Sequence, residues 1–152
     1  MAFKIRHIYD TIFAMKFTGI VHGVVQKGDG LGTKIGFPTI NLDAGACADL
    51  TYGVYIVRVG GAQVGEAVGG VIGVMHFGPR PSVSAGAVGG PDPSEIRLEI
   101  HLLDFSRDLY GKTVIVTVLD KIRDVMRFSS LEELKARIAK DILLARVRVY
   151  GP

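Results

Sequence analysis

Residues 95–105 read Glu95-Ile96-Arg97-Leu98-Glu99-Ile100-His101-Leu102-Leu103-Asp104-Phe105. Ile96, Leu98, Ile100 and Leu102 alternate with Arg97, Glu99 and His101. That period of two marks a strand with one apolar face and one polar face. Downstream, Thr113–Leu119 (TVIVTVL) reads as another strand. Upstream lie Tyr52–Val59 (YGVYIVRV), ended by the turn pair Gly60-Gly61, and the glycine-interrupted run Val64–Phe77. Thr39–Leu42 can extend, and Phe17–Val25 is rich in β-branched residues but broken by Gly19 and Gly23. Residues 27–38 read as a glycine-dense loop. Residues 78–94, with four of the six prolines, read as a long exposed loop.

The chain then changes period. Residues 128–147 (FSSLEELKARIAKDILLARV) place Leu131, Leu134, Ile138, Ile142 and Ala145 on one helical stripe. Ser130 followed by Glu133 is a capping box, and Phe128 can staple onto Leu134 across it. Ile5, Ile8, Tyr9, Ile12 and Phe13 also fall at helical spacing, predicting a short N-terminal helical arm over residues 1–15 before a domain over 16–152. Several short strands followed by one helix, with no strand–helix alternation, disfavour a parallel doubly wound sheet. The expected fold is mainly β: a small antiparallel barrel with a C-terminal α-helix and a short N-terminal helix.

Composition narrows the function classes. The 152 residues suit one domain. The 20 glycines are nearly twice the usual share of about 7 % but follow no three-residue period, which excludes collagen. The net charge of +3 permits anionic ligands, and without a clustered basic stripe it does not call for nucleic acid. One cysteine, Cys47, excludes an intramolecular disulfide and a cysteine-built zinc site, and fits a reducing compartment. No apolar run approaches the roughly 18 residues of a membrane span, and no signal-peptide pattern opens the chain. A cytoplasmic protein without a membrane partner is the expectation.

Three groups of residues bear on chemistry. Gly28, Gly30, Gly32 and Gly36 let backbone N–H groups turn toward an anion, and Lys34 adds a charge. The order is not that of a P-loop, and from the glycines alone a flexible hairpin is the favoured reading. Thr39 and Asn41, two apart in an extended segment, present a hydroxyl and an amide oxygen on one side. Such neutral oxygen donors suit Mg²⁺, which takes few protein ligands, although a satisfied polar pair at a strand end would look the same. Glu99, opposite the apolar face, could serve as a general base on a hydroxyl, but taken alone it reads first as a solvated charge beside Arg97. No G-x-S-x-G motif or HExxH motif occurs.

Taken in order, these pieces resemble the riboflavin kinase (flavokinase) family. Gly28-Asp29-Gly30-x-Gly32-x-Lys34-x-Gly36-Phe37-Pro38-Thr39-x-Asn41-Leu42 is similar to the family's phosphate loop and signature. Gly53-Val54-Tyr55 resembles its next strand, and Gly73 to Ser82 its flap. Glu99 to Phe105 with Asp108 to Lys112 resembles the stretch holding its catalytic glutamate. Arg123 and Phe128 to Leu134 resemble the entry to its C-terminal helix. The likeness covers roughly residues 16–146. It implies a six-stranded antiparallel Greek-key barrel and a monofunctional enzyme converting ATP and riboflavin to ADP and FMN. It further implies Thr39 and Asn41 as holders of Mg²⁺ and nucleotide phosphate, Glu99 as the catalytic base, and Gly28, Gly30, Gly32 and Lys34 around the phosphates. Leu102, Asp104 and Tyr110 are then expected on the nucleotide side, and Arg123, Met126 and Phe128 on the flavin side. No adenylyltransferase segment is recognisable, so FMN and not FAD is the expected product, from a monomer. The alternative is a non-catalytic flavin- or nucleotide-binding regulatory barrel. An oligonucleotide-binding barrel is disfavoured by aromatic residues at only 8 % and the absence of Trp.

Overall fold

The computed structural model describes residues 19–47, 49–61, 64, 70–81 and 95–152. The helix expected over residues 1–15 and most of the expected 78–94 loop lie outside them. Six strands form one sheet: β1 (Gly19–Val24), β2 (Ile40–Leu42), β3 (Gly53–Gly60), β4 (Val71–Pro79), β5 (Ile96–Leu102) and β6 (Thr113–Arg123). Their spatial order is β1-β6-β3-β4-β5-β2, and every pairing is antiparallel. β3, β4 and β5 follow one another as a meander, and β6 returns beside β3, which is the Greek-key order. The sheet curls until Gln26 bridges Asn41, its N–H donating to the Asn41 carbonyl at 2.8 Å. Among the described residues that bridge joins the two edges of a curled half-barrel.

The inner face is lined by Val57, Val59, Met75, Leu98, Ile100, Val114, Val116 and Val118, all of them buried. Each such side chain contributes about 1.5–3 kcal/mol when fully withdrawn from water. β3 is apolar on both faces, because Val54 and Ile56 on its outer side pack with Ile72, Leu119, Ala145 and Val149. The last two belong to the C-terminal helix α2 (Leu131–Tyr150). Two register shifts between β3 and β6 let β6 bend. Among the described residues no helix is long and apolar enough to cross a membrane.

Several local expectations change. The loop at 27–38 contains one helical turn, α1 (Leu31–Lys34), pinned by the Phe37 N–H donating to the Gly32 carbonyl at 2.7 Å. Ile35 behind it packs with Phe128 and Leu134, so a contact distant in sequence holds the turn. The strand expected from Val64 begins at Val71, and Val64 closes a turn onto Gly61. β5 stops at Leu102 because the chain turns at Asp104, whose φ is 55°. β6 runs on to Arg123.

Ser130 caps α2, its Oγ accepting from the Glu133 N–H at 3.1 Å. The Glu133 carboxylate reaches back to the N–H and hydroxyl of Ser129, both at 2.7 Å, so the box closes one residue earlier than the motif suggests. Of the expected stripe, Leu134 and Ala145 are buried, Ile138 and Ile142 are partly buried, and Leu131 is exposed. Asp141, a carboxylate 2 % exposed, sits within that stripe.

Candidate active site

β2 and β5 place the site. Asn41 lies opposite Glu99, and His76 of β4 lies opposite Glu99 on its other side. Directly opposed residues of an antiparallel sheet share a face, so the three form one polar row. Thr39 precedes β2 by one residue. Its neighbour Pro38 is fixed by His101, whose Nδ1–H donates to the Pro38 carbonyl at 2.8 Å while its ring meets Phe37 edge-on at 5.9 Å.

The glycine loop wraps this segment at distances a side chain would not allow. A Cβ on Gly28 would stand 2.3 Å from Asn41 Nδ2, and one on Gly32 would stand 2.5 Å from the Phe37 carbonyl and 3.2 Å from Thr39 Oγ1. At Gly32 the backbone contact requires glycine, and at Gly28 a side chain would displace the Asn41 amide from its place.

Two cavities meet here. The larger, about 540 Å³, lies between the glycine loop, Thr39, Asn41 and residues 105–110. The smaller, about 100 Å³, is lined by His76, Arg80, His101, Arg123 and Asp141. Thr39 and Glu99 line both.

The electrostatics suit a base at that junction. Burial pushes the Glu99 carboxyl above its ordinary value, and the charge on Asp29 adds to this against Arg97 and Arg80. Asp29 is lowered, first by the Leu31 N–H that it accepts at 3.1 Å and then, against some burial, by Arg80 and Arg97. The Arg80–Asp29 contact is 2.8 Å and the Arg97–Asp29 contact 3.7 Å; Arg97 also pairs with Glu95. Burial lowers His76, whose Nε2–H donates to the Pro79 carbonyl at 3.0 Å.

Of the residues expected from sequence, Gly28, Gly30, Thr39, Asn41, Glu99, Leu102 and Tyr110 border the larger cavity. Gly32 and Arg123 border the smaller. Four stand apart from both. Lys34 is exposed at the end of α1. Asp104 is exposed and clamped by Arg146 through two bonds of 2.8 Å. Met126 is 43 % exposed. Phe128 is buried with Ile35 and Leu134, its ring 6.0 Å from the Arg123 guanidinium.

Sequence reasoning missed three elements. Lys27 borders the larger cavity and lies 5.2 Å from the Tyr110 ring centroid, which makes it a better-placed cation than Lys34. The Asp29–Arg80 pair links two loops that no local pattern connects. Asp141 holds Arg123 at 2.8 Å, and its presence on the apolar helix stripe was the available signal of a buried partner.

Thr39 and Asn41 offer neutral oxygen donors, and among the described residues there is no cluster of three His, Cys, Asp or Glu. The donor set fits a cation that takes few protein ligands and completes its shell with phosphate and water.

A family model described as "Flavokinase: Riboflavin kinase" matches residues 15–149. The chain is 43 % identical over 126 residues to the bifunctional riboflavin kinase/FMN adenylyltransferase of Escherichia coli K12, covering 83 % of this chain and 36 % of that protein. It is 43 % identical over 123 residues to the RNA-binding riboflavin kinase RibR of Bacillus subtilis, covering 81 % of this chain and 48 % of that protein. The chain thus spans between a third and a half of the length of these curated relatives. A Streptococcus pneumoniae structure titled as a macrolide-efflux protein superposes with a TM-score of 0.63 at 30 % identity, over 84 % of this chain and 38 % of that one. The riboflavin kinase of Trypanosoma brucei shares the fold, with a TM-score of 0.56 at 22 % identity over 88 % and 80 % of the two chains.

Proposed function

The chain belongs to the riboflavin kinase family, and from that premise we propose that it transfers the γ-phosphate of ATP to the 5′-hydroxyl of riboflavin, giving ADP and FMN. The observation that carries this reading is the shared wall: Thr39 and Glu99 border both cavities. A nucleotide in the larger cavity and a polyol chain in the smaller one would meet at Glu99.

Phosphoryl transfer asks for positioning and charge neutralisation more than for covalent chemistry from the protein. The backbone around Gly28 and Gly30, with Lys27, borders the space for the phosphates. Thr39 and Asn41 would hold Mg²⁺, which supplies neutralisation of phosphate charge when bound. Glu99 accepts the proton of the ribityl hydroxyl as its oxygen bonds to the γ-phosphorus and the bond to the ADP oxygen breaks. A carboxylate whose affinity for a proton is raised by burial is the better base for that step. The smaller cavity, about 100 Å³, would take the ribityl chain, with Arg123 in its wall toward the flavin.

The test is incubation with riboflavin, ATP and Mg²⁺, with products separated by chromatography. FMN formation is expected. Its absence would contradict the proposal, and tight flavin binding without turnover would favour a binding barrel.

A further inference from the structure

Asp29 borders the larger cavity and Arg80 the smaller, so their 2.8 Å ion pair runs from one to the other where Thr39 and Glu99 stand. Asp29 Oδ2 also lies 3.7 Å from the Arg97 guanidinium, while Oδ1 accepts the Leu31 N–H at 3.1 Å. Two guanidinium groups and a backbone N–H thus converge on one carboxylate at the junction. That is the chemistry of an anion site, with an internal anion in it. The pair is 37 % and 34 % exposed, and a half-exposed ion pair is weak enough to be exchanged for a stronger ligand. A triphosphate carries more charge than a carboxylate and matches the guanidinium fork.

We infer that Arg80 binds the transferring phosphoryl group and that Asp29 is its resting counter-anion, displaced when the nucleotide enters. The inference rests on the phosphoryl-transfer reading above. Arg80 makes and breaks no covalent bond; it stabilises negative charge on the non-bridging oxygens as the phosphoryl group moves toward the acceptor. Arg97 keeps Glu95 as a partner when Asp29 leaves, whereas Arg80 is freed for the phosphate.

Two substitutions separate this role from a structural tie between loops. Arg80→Gln should lower kcat for FMN formation by about 10²–10³-fold, the usual cost of removing one such donor, a larger effect than any rise in the KM for riboflavin, whose cavity Arg80 also borders. Arg80→Lys should recover part of the loss. Asp29→Asn keeps an oxygen to accept the Leu31 N–H but releases Arg80, and should lower the KM for ATP several-fold. Titration with tripolyphosphate reads the same site without turnover: Arg80→Gln should weaken its binding and Asp29→Asn should tighten it. A kcat for Arg80→Gln within threefold of the parent, or equal losses in both variants, would overturn the inference. If the parent chain forms no FMN, the phosphoryl-transfer reading fails, and the tripolyphosphate titration still decides the role of Arg80: unchanged binding in Arg80→Gln overturns it.

Discussion

Replacing Asp141 with asparagine removes the charge that holds Arg123 in the wall of the smaller cavity. Asp141 receives Arg123 Nε at 2.9 Å, Arg123 Nη2 at 2.8 Å and Arg137 Nε at 3.2 Å. Arg123 is 12 % exposed, so its guanidinium would be left largely desolvated without a counter-charge. Breaking a buried pair from one side costs about 3–5 kcal/mol. Asparagine keeps one acceptor oxygen, and the contact to Arg137, 34 % exposed, is worth no more than about 1 kcal/mol. The expected loss is therefore about 2–4 kcal/mol. For a chain of this size that lowers Tm by roughly 5–15 °C in a thermal melt. Because Arg123 and Asp141 both face the cavity, the KM for riboflavin should also rise by roughly tenfold, the worth of one misaligned hydrogen bond. A Tm within about 2 °C of the parent, with unchanged KM, would refute the claim that this pair shapes the acceptor wall.

Other substitutions probe the remaining parts. Gly28→Ala puts a Cβ 2.3 Å from Asn41 Nδ2 and pushes that side-chain amide aside; kcat/KM for ATP should fall roughly 10²-fold for a displacement near 1 Å, with the midpoint of urea unfolding little changed. Since the carboxyl of Glu99 is raised by burial, folding favours its protonated form, and that contribution is lost as pH rises through the folded value. Glu99→Gln should accordingly raise Tm at neutral pH, the gain vanishing in acid, and the acid limb of the parent's pH–rate profile should lie above the ordinary glutamate range. Ser130→Ala removes the cap of α2 and should cost about 1 kcal/mol, read as a Tm drop of roughly 2–4 °C.

The parts of the fold legible in sequence are those with a short-range cause. β5 shows its alternation because Leu98, Ile100 and Leu102 pack inward while Glu99 and His101 face the site. α2 shows its start because Ser130 and Glu133 make local hydrogen bonds. α1 left no pattern, being four residues held by Ile35 packing on Phe128 and Leu134. The onset of β4 was obscured by the glycines from Gly60 to Gly73, which break any period.

At the site, the common side of Thr39 and Asn41 followed from the period of two. Their approach to Glu99 depends on β2 pairing with β5, a contact between distant segments that local pattern does not encode. Leu102, Tyr110 and Arg123 were reached only through the family resemblance. Lys34 holds the lysine position of the motif, but the turn of α1, which no local pattern encodes, leaves it exposed while Lys27 borders the cavity.

The central claim is that Glu99, at the junction of two cavities, is the base of a phosphoryl transfer. Its most direct test is Glu99→Gln, assayed for FMN formation alongside calorimetric titration with ATP and Mg²⁺. The account predicts turnover reduced by about 10²–10⁴-fold with nucleotide affinity retained. Turnover within a few-fold of the parent, or equal loss of nucleotide binding, would contradict it.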